Sequence, residues 1–114
     1  MAYVDGMVLA VPTGNREAYK KFAEKMSAIF KEYGAQEVVD CWGDDVPEGK
    51  VTSFSMAVQR QPEETVVFSW IRWPSRERRE EVWPKVMADP RLQPGNSPMP
   101  FDGKRMIYGG FEVI

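Results

Sequence analysis

VVFSWIRW, Val66 to Trp73, is apolar on both of its faces when it is read as a strand. Side chains alternate across a strand, so Val67, Ser69, Ile71 and Trp73 point one way and Phe68, Trp70 and Arg72 the other. A strand with one wet face alternates apolar with polar residues; this one therefore belongs mid-sheet, with helices covering one side and a second layer covering the other. That second layer is the first pointer to a homo-oligomer.

The flanking segments fit around it. Tyr3 to Val11 reads as a strand with Val4, Gly6, Val8 and Ala10 on one face and Tyr3, Asp5, Met7, Leu9 and Val11 on the other. Small residues let helices approach closely, so the first set is assigned to the helix side and the set containing Asp5 to the opposite side. Asn15 is placed to cap a helix that runs to Tyr33, with Gly34 as its stop. Tyr19, Phe22, Met26, Ile29, Phe30 and Tyr33 recur along it at three- and four-residue spacing, which marks a core stripe. Gln36 to Trp42 predicts a second strand, which opens into the acidic turn GDDVPEGK.

VTSFSMAVQRQ alternates like a strand at Phe54, Met56 and Val58, yet Thr52 can cap a short helix there; the helix is the preferred reading. Ser75 caps a further helix to Ala88, with Val82, Val86, Met87 and Trp83 as its apolar positions. Pro84 inside it deletes a backbone hydrogen bond, and a kink is expected. Asp89 to Gly103 is a long connection containing four prolines, either a functional cover or a packed wrap. Arg105 to Val113 closes the chain as a strand, with Gly109 and Gly110 as a bulge or a point of close approach.

This order of elements predicts an α+β fold: a ferredoxin-like βαββαβ unit with an antiparallel four-stranded sheet, whose first and third strands are central. Both helices then cover one face, and the other face exposes more apolar surface than a soluble monomer usually shows. A second copy is the simplest cover, so a homodimer is expected.

With 114 residues, the chain is read as a single domain spanning 1–114, with no linker. The formal net charge of -2 offers no basic field for a phosphate backbone, so nucleic acid is not an expected partner. The opening MAYVDGMVLAVP has Asp5 within its apolar run and no basic flank; it reads as a strand, neither leader nor membrane anchor, and a cytoplasmic location is expected. Cys41 is the sole cysteine, and there is no histidine. Those two facts exclude an internal disulfide, cysteine metal clusters, histidine triads and histidine-ligated haem. No cofactor and no metal site are expected.

DCWGDDVPEGK, VVFSWIRWPS and KVMADPR, in that order, resemble the YbaA-like proteins, an uncharacterised bacterial family of about this length, and the likeness spans essentially the whole chain. The resemblance implies a dimeric α/β-barrel, in which two ferredoxin-like sheets pack face to face. That superfamily includes cofactor-free monooxygenases, haem-degrading enzymes, isomerases and proteins without known activity. It implies no catalytic residues here. The chain departs from the family pattern at Pro84, where the helix would otherwise run uninterrupted.

Candidate ligand-binding residues follow from chemistry and position. Asp40, Asp44 and Asp45 flank Trp42 and Gly43 at a strand end, where burial can lift a carboxyl pKa towards useful proton transfer, although aspartates also cap turns in such loops. Trp70 and Arg72 share a face of the central strand; Arg72 is either an anion clamp or half of an ion pair with Asp5 or Asp40. Tyr108 and Glu112 either line the same cavity or sit at the sheet edge. Cys41 points away from Asp40 and Trp42; with those two facing the lumen, it is expected to be a small buried hydrophobe on the helix side. A site built from Asp5, Asp40, Trp42, Asp44, Trp70, Arg72 and Tyr108 under the Asp89 to Gly103 loop would bind or convert a small molecule, in the manner of the cofactor-free oxygenases that the resemblance implies. A non-catalytic ligand-binding or structural dimer is the alternative.

Overall fold

The computed structural model describes residues 1–93, 95–96 and 98–114. Four strands make one antiparallel sheet in the order β2-β3-β1-β4: β1 Tyr3–Pro12, β2 Glu37–Trp42, β3 Glu64–Trp73 and β4 Ile107–Glu112. Three helices complete the α+β fold: α1 Arg16–Glu32, the short α2 Phe54–Ala57 and α3 Arg76–Met87. β3 and β1 are the central pair, and they are joined over ten residues, from Tyr3 opposite Trp73 to Pro12 opposite Glu64.

Local chemistry sets the ends. Gly34 has φ +111° and ends α1, because a side chain is strained there. Asn15 sits at the start of α1 but donates its side-chain amide to the Pro100 carbonyl instead of capping. Ser75 does cap α3, accepting from the Arg78 N–H at 3.1 Å. The short helix is capped by Ser53, one residue later than expected, through the Met56 N–H. α3 runs from Arg76 to Met87 with Pro84 inside it. Its buried residues are Val82 and Val86, Trp83 packs partly buried beside them, and Met87 is exposed.

Register decides the faces. Asp5 lies opposite Ile71 and Leu9 opposite Val67, so Tyr3, Asp5, Met7, Leu9 and Val11 share the face of Val67, Ser69, Ile71 and Trp73. That face carries α1 and α3. Tyr3, Ile71 and Trp73 pack with Ile29, Phe30, Val82 and Val86, while Leu9, Val11 and Val67 pack with Tyr19. The two faces of β1 are thus the reverse of the expectation: the larger residues, not the small ones, fill the space beneath the helices. Gly6 lies on the other face, opposite Gly109 of β4.

The helix-free face is partly covered from within. Residues 43–63 cross one end of it, and Val58, fully buried, packs with Val8, Ala10 and Val66 there. Cys41 lies on this face opposite Phe68 and is exposed, correcting its assignment to the helix side; Asp40 and Trp42 are the residues that turn inward. At the β4 edge the register is unbroken, so Gly109 and Gly110 form no bulge. Gly110 is a close-approach point: a Cβ there would come within 2.7 Å of the Tyr3 ring.

The connection 89–103 wraps α1. Lys25 donates to the Asn96 carbonyl, and Phe101 packs edge-on against Tyr19 and Phe22. Asp89 anchors its start, accepting from Arg91 and from the Tyr33 hydroxyl. The Arg91 guanidinium holds the Asp89 carboxyl well below the usual carboxylate range. Pro94, one of its four prolines, lies outside the described residues.

Candidate functional site

The sequence-derived site residues do not meet at one point. Asp40 and Trp42 lie on the helix side of β2, opposite Ser69 and Val67; Trp70 and Arg72 lie on the helix-free side of β3, opposite Val39 and Glu37. A whole sheet separates Arg72 from Asp40. Asp44 sits in the loop after β2, beside a small polar recess of about 160 Å³ that also involves Glu48, Ser55, Arg60 and Glu64. Tyr108, opposite Met7 on the edge strand, is largely exposed and lines one groove with Trp70. No described residue of 89–103 lines the groove beside Asp40, whose described lining comes from α1 and β2.

Asp5 makes no ion pair with Arg72. It is buried under α3, where Oδ1 accepts from Arg79 at 2.8 Å and Oδ2 accepts from Trp73 Nε1 at 2.8 Å, Trp83 Nε1 at 3.2 Å and Arg79 Nε at 3.3 Å. Arg79 also lies over the Tyr3 and Trp83 rings, at 5.6 and 5.9 Å from their centroids. A buried carboxylate is tolerated when its oxygens are occupied in this way, so the cluster explains how a charge sits in the core. Arg79 and Trp83 did not figure among the candidates. The available signal was Asp5 itself, in phase with Leu9 and Val11, which demands a cation from whichever helix covers that face.

The Asp40 wall has its own chemistry. The Tyr19 hydroxyl donates to Asp40 Oδ1 at 2.7 Å, and burial, then the Asp40 charge, push the Tyr19 phenol above its ordinary value. Desolvation at the wall raises the Asp40 carboxyl, against the hydrogen bonds from Tyr19 and Ser69 that lower it. By accessible surface Asp40 is exposed, so water screens much of that effect. Arg16 lies over the Trp42 ring, 5.4 Å from its centroid.

The helix-free face holds a groove of about 590 Å³. Gly6 and Gly109 form its floor, with Phe111 resting against them, and Val4, Val8, Phe68, Trp70 and Ile107 make the walls. Trp70 Nε1 donates to Glu37 Oε1 at 2.7 Å, so the indole is held and its polar edge satisfied. The alternation of β3 indicated Phe68 and Trp70; the contributions of Ile107 and Phe111 depended on knowing which face β1 and β4 share.

Residues 2–103 match the family model described as "Protein of unknown function (DUF1428)". The chain is 55% identical over 114 residues to the "Uncharacterized protein YbaA" of Escherichia coli strain K12, covering 100% of this chain and 97% of that protein. The proteins of the same description from Escherichia coli O157:H7 and Shigella flexneri align with the same identity and coverage.

Proposed function

This chain belongs to the DUF1428 family, and from that premise we propose that it acts as a homodimer that binds a small, uncharged, apolar molecule between two helix-free sheet faces. The observation that carries this reading is the groove of about 590 Å³, a volume typical of small-molecule sites. Its lining includes no carboxylate, amine or guanidinium, so an ion placed there would lose its water without compensation. Binding is the role this mostly apolar lining supports, with the Tyr108 hydroxyl among its few polar groups.

Phe68, Ile107 and Phe111 are 43%, 44% and 60% exposed around this groove, and a second copy set face to face would bury them. The strand order, with α1 and α3 on the same side, supports a ferredoxin-like sheet, and two such sheets face to face make the dimeric α/β-barrel that the family resemblance implies. In this reading the whole chain is one domain. Its compartment is the cytoplasm, where an unpaired thiol such as Cys41 stays reduced. Among the described residues no helix is long and apolar enough to cross a membrane.

Light scattering at micromolar concentration is expected to give twice the 13.1 kDa of the chain; a stable 13.1 kDa species would sink the dimer. Thermal unfolding with naphthalene or indole as the probe is expected to shift upward, since a ligand stabilises by RT ln(1 + [L]/Kd), about 2.7 kcal/mol at a hundredfold excess over Kd. A dimer whose unfolding neither probe moves is a solid interface, which is the structural alternative.

A further inference from the structure

β2 is an edge strand, hydrogen-bonded to β3 and to no other strand. The Gly43 N–H donates to the Val66 carbonyl at 2.8 Å, which sets the alternation of the ladder. Glu37, Val39 and Cys41 therefore turn their main-chain groups towards β3, while Val38, Asp40 and Trp42 turn theirs outward. Edge strands are usually blunted by proline, a bulge or projecting charge. Glu37 to Trp42 contains no proline, and its register is unbroken. Its two carboxylates are drawn onto neighbours, Glu37 by the Trp70 indole and Asp40 by the Tyr19 hydroxyl.

Beside this edge runs a groove of about 640 Å³ between β2 and α1. Val38, Asp40 and Trp42, the residues with outward main-chain groups, supply one wall. Across it α1 presents Ala23 and Ala28, too short to fill the space, with Arg16, Lys20 and Lys31 along the rim. None of these three cations is in an ion pair among the described residues. Glu24 is the one carboxylate that α1 contributes to the lining.

We propose that the β2 edge binds an extended acidic peptide, which adds a fifth strand to the sheet and lowers alternate side chains into the α1–β2 groove. Main-chain hydrogen bonds to Val38, Asp40 and Trp42 supply the attachment, and a pocketed wall selects side chains, as in other cases of strand addition. The cation row selects acidic residues and speeds their encounter. A second copy pairing through its own β2 is a poorer occupant, because that strand is flanked by the same cations.

The test uses a fluorescein-labelled ten-residue peptide of alternating valine and aspartate, and two controls: the same peptide N-methylated throughout, and one with lysine in place of aspartate. The acidic peptide is expected to bind saturably and to move the NMR amide signals of Val38, Asp40 and Trp42. N-methylation, which removes the main-chain donors and keeps the charge, should weaken it at least tenfold, as should the double variant Arg16→Glu with Lys20→Glu. The lysine peptide should not bind.

Absence of binding overturns the proposal. So does equal binding of the N-methylated peptide, which would reveal only charge attraction. Concentration-dependent protection of the Val38, Asp40 and Trp42 amides without any peptide would show a second copy on the edge and overturn it too. The helix-free groove lies across the sheet, so a variant that abolishes the proposed dimer there should leave peptide binding intact, and the two readings fail separately.

Discussion

On the helix side of the sheet, Asp5 is 5% exposed and accepts four hydrogen bonds from two tryptophans and an arginine; on the other side, at the same level of β1 and β4, Phe111 leans on two glycines in the open. The same strands make both surfaces. Beneath α3 the helix side is complete within one chain, down to each polar atom of a buried carboxylate. Among the described residues, the helix-free side has apolar walls and no cover beyond residues 43–63. A charged residue in a strand therefore did not mark the wet face here, and glycines did not mark the face beneath the helices.

The largest expected effect tests the completeness of the helix side. Asp5→Ala leaves the Arg79 charge and two indole N–H groups without their acceptor, and breaking a buried pair in this way costs about 3–5 kcal/mol. Urea denaturation should show the loss as a lower midpoint at unchanged slope. A loss below about 1 kcal/mol would mean that the contrast between the faces is one of packing alone.

A second substitution sharpens the contrast from the open side. Phe111→Asp should raise the dimer dissociation constant by tenfold or more, read by sedimentation equilibrium, because a charge would be buried in a dry interface. The isolated subunit should change by no more than about 0.5 kcal/mol, since Phe111 is solvent-exposed there. If the mass is unaffected while the fold is lost, Phe111 belongs to the subunit core and the two faces are less different than they look.

The smallest effect separates two carboxylates by pH. Asp40 is held above its ordinary 3.8 by desolvation, so its contribution to stability is fully present below that value and is lost as pH rises through its folded pKa. Asp40→Asn should accordingly be slightly more stable than the parent near pH 7, by under about 0.5 kcal/mol at this exposed position, with the gap closing near pH 3. Glu64 behaves oppositely. Its bidentate pair with Arg105, at 2.6 and 2.7 Å, holds it below its ordinary 4.5, so its contribution is present above that value and is lost as pH falls through its folded pKa. Urea midpoints of the parent and of Asp40→Asn and Glu64→Gln across that range should diverge in opposite senses.

The elements were legible because their signals are local. Gly34 and Ser75 punctuate helices by backbone geometry and capping, and the double apolar character of Val66–Trp73 placed that strand centrally. The candidate site was less legible because it depends on register. Asp40 and Arg72 share a type of chemistry but not a face, and only the pairing of Asp40 with Ser69 and of Glu37 with Arg72 reveals it. Cys41 was misplaced for a related reason: once Asp40 and Trp42 are drawn inward by Tyr19, their neighbour must face out. No short stretch of sequence contains that information.

The Asp5 cluster also bears on how the chain is made. Its partners lie 68 to 78 positions downstream, and β1 joins the sheet between β3 and β4, both of which are synthesised later. At about 5–20 residues per second, β1 and its carboxylate wait several seconds on the ribosome before Trp73, Arg79 and Trp83 emerge to receive them. During that interval β1 has no partner strand, and the sheet closes by long-range pairing, first of β1 with β3 and then with the edge strand β4, rather than by growth from one end.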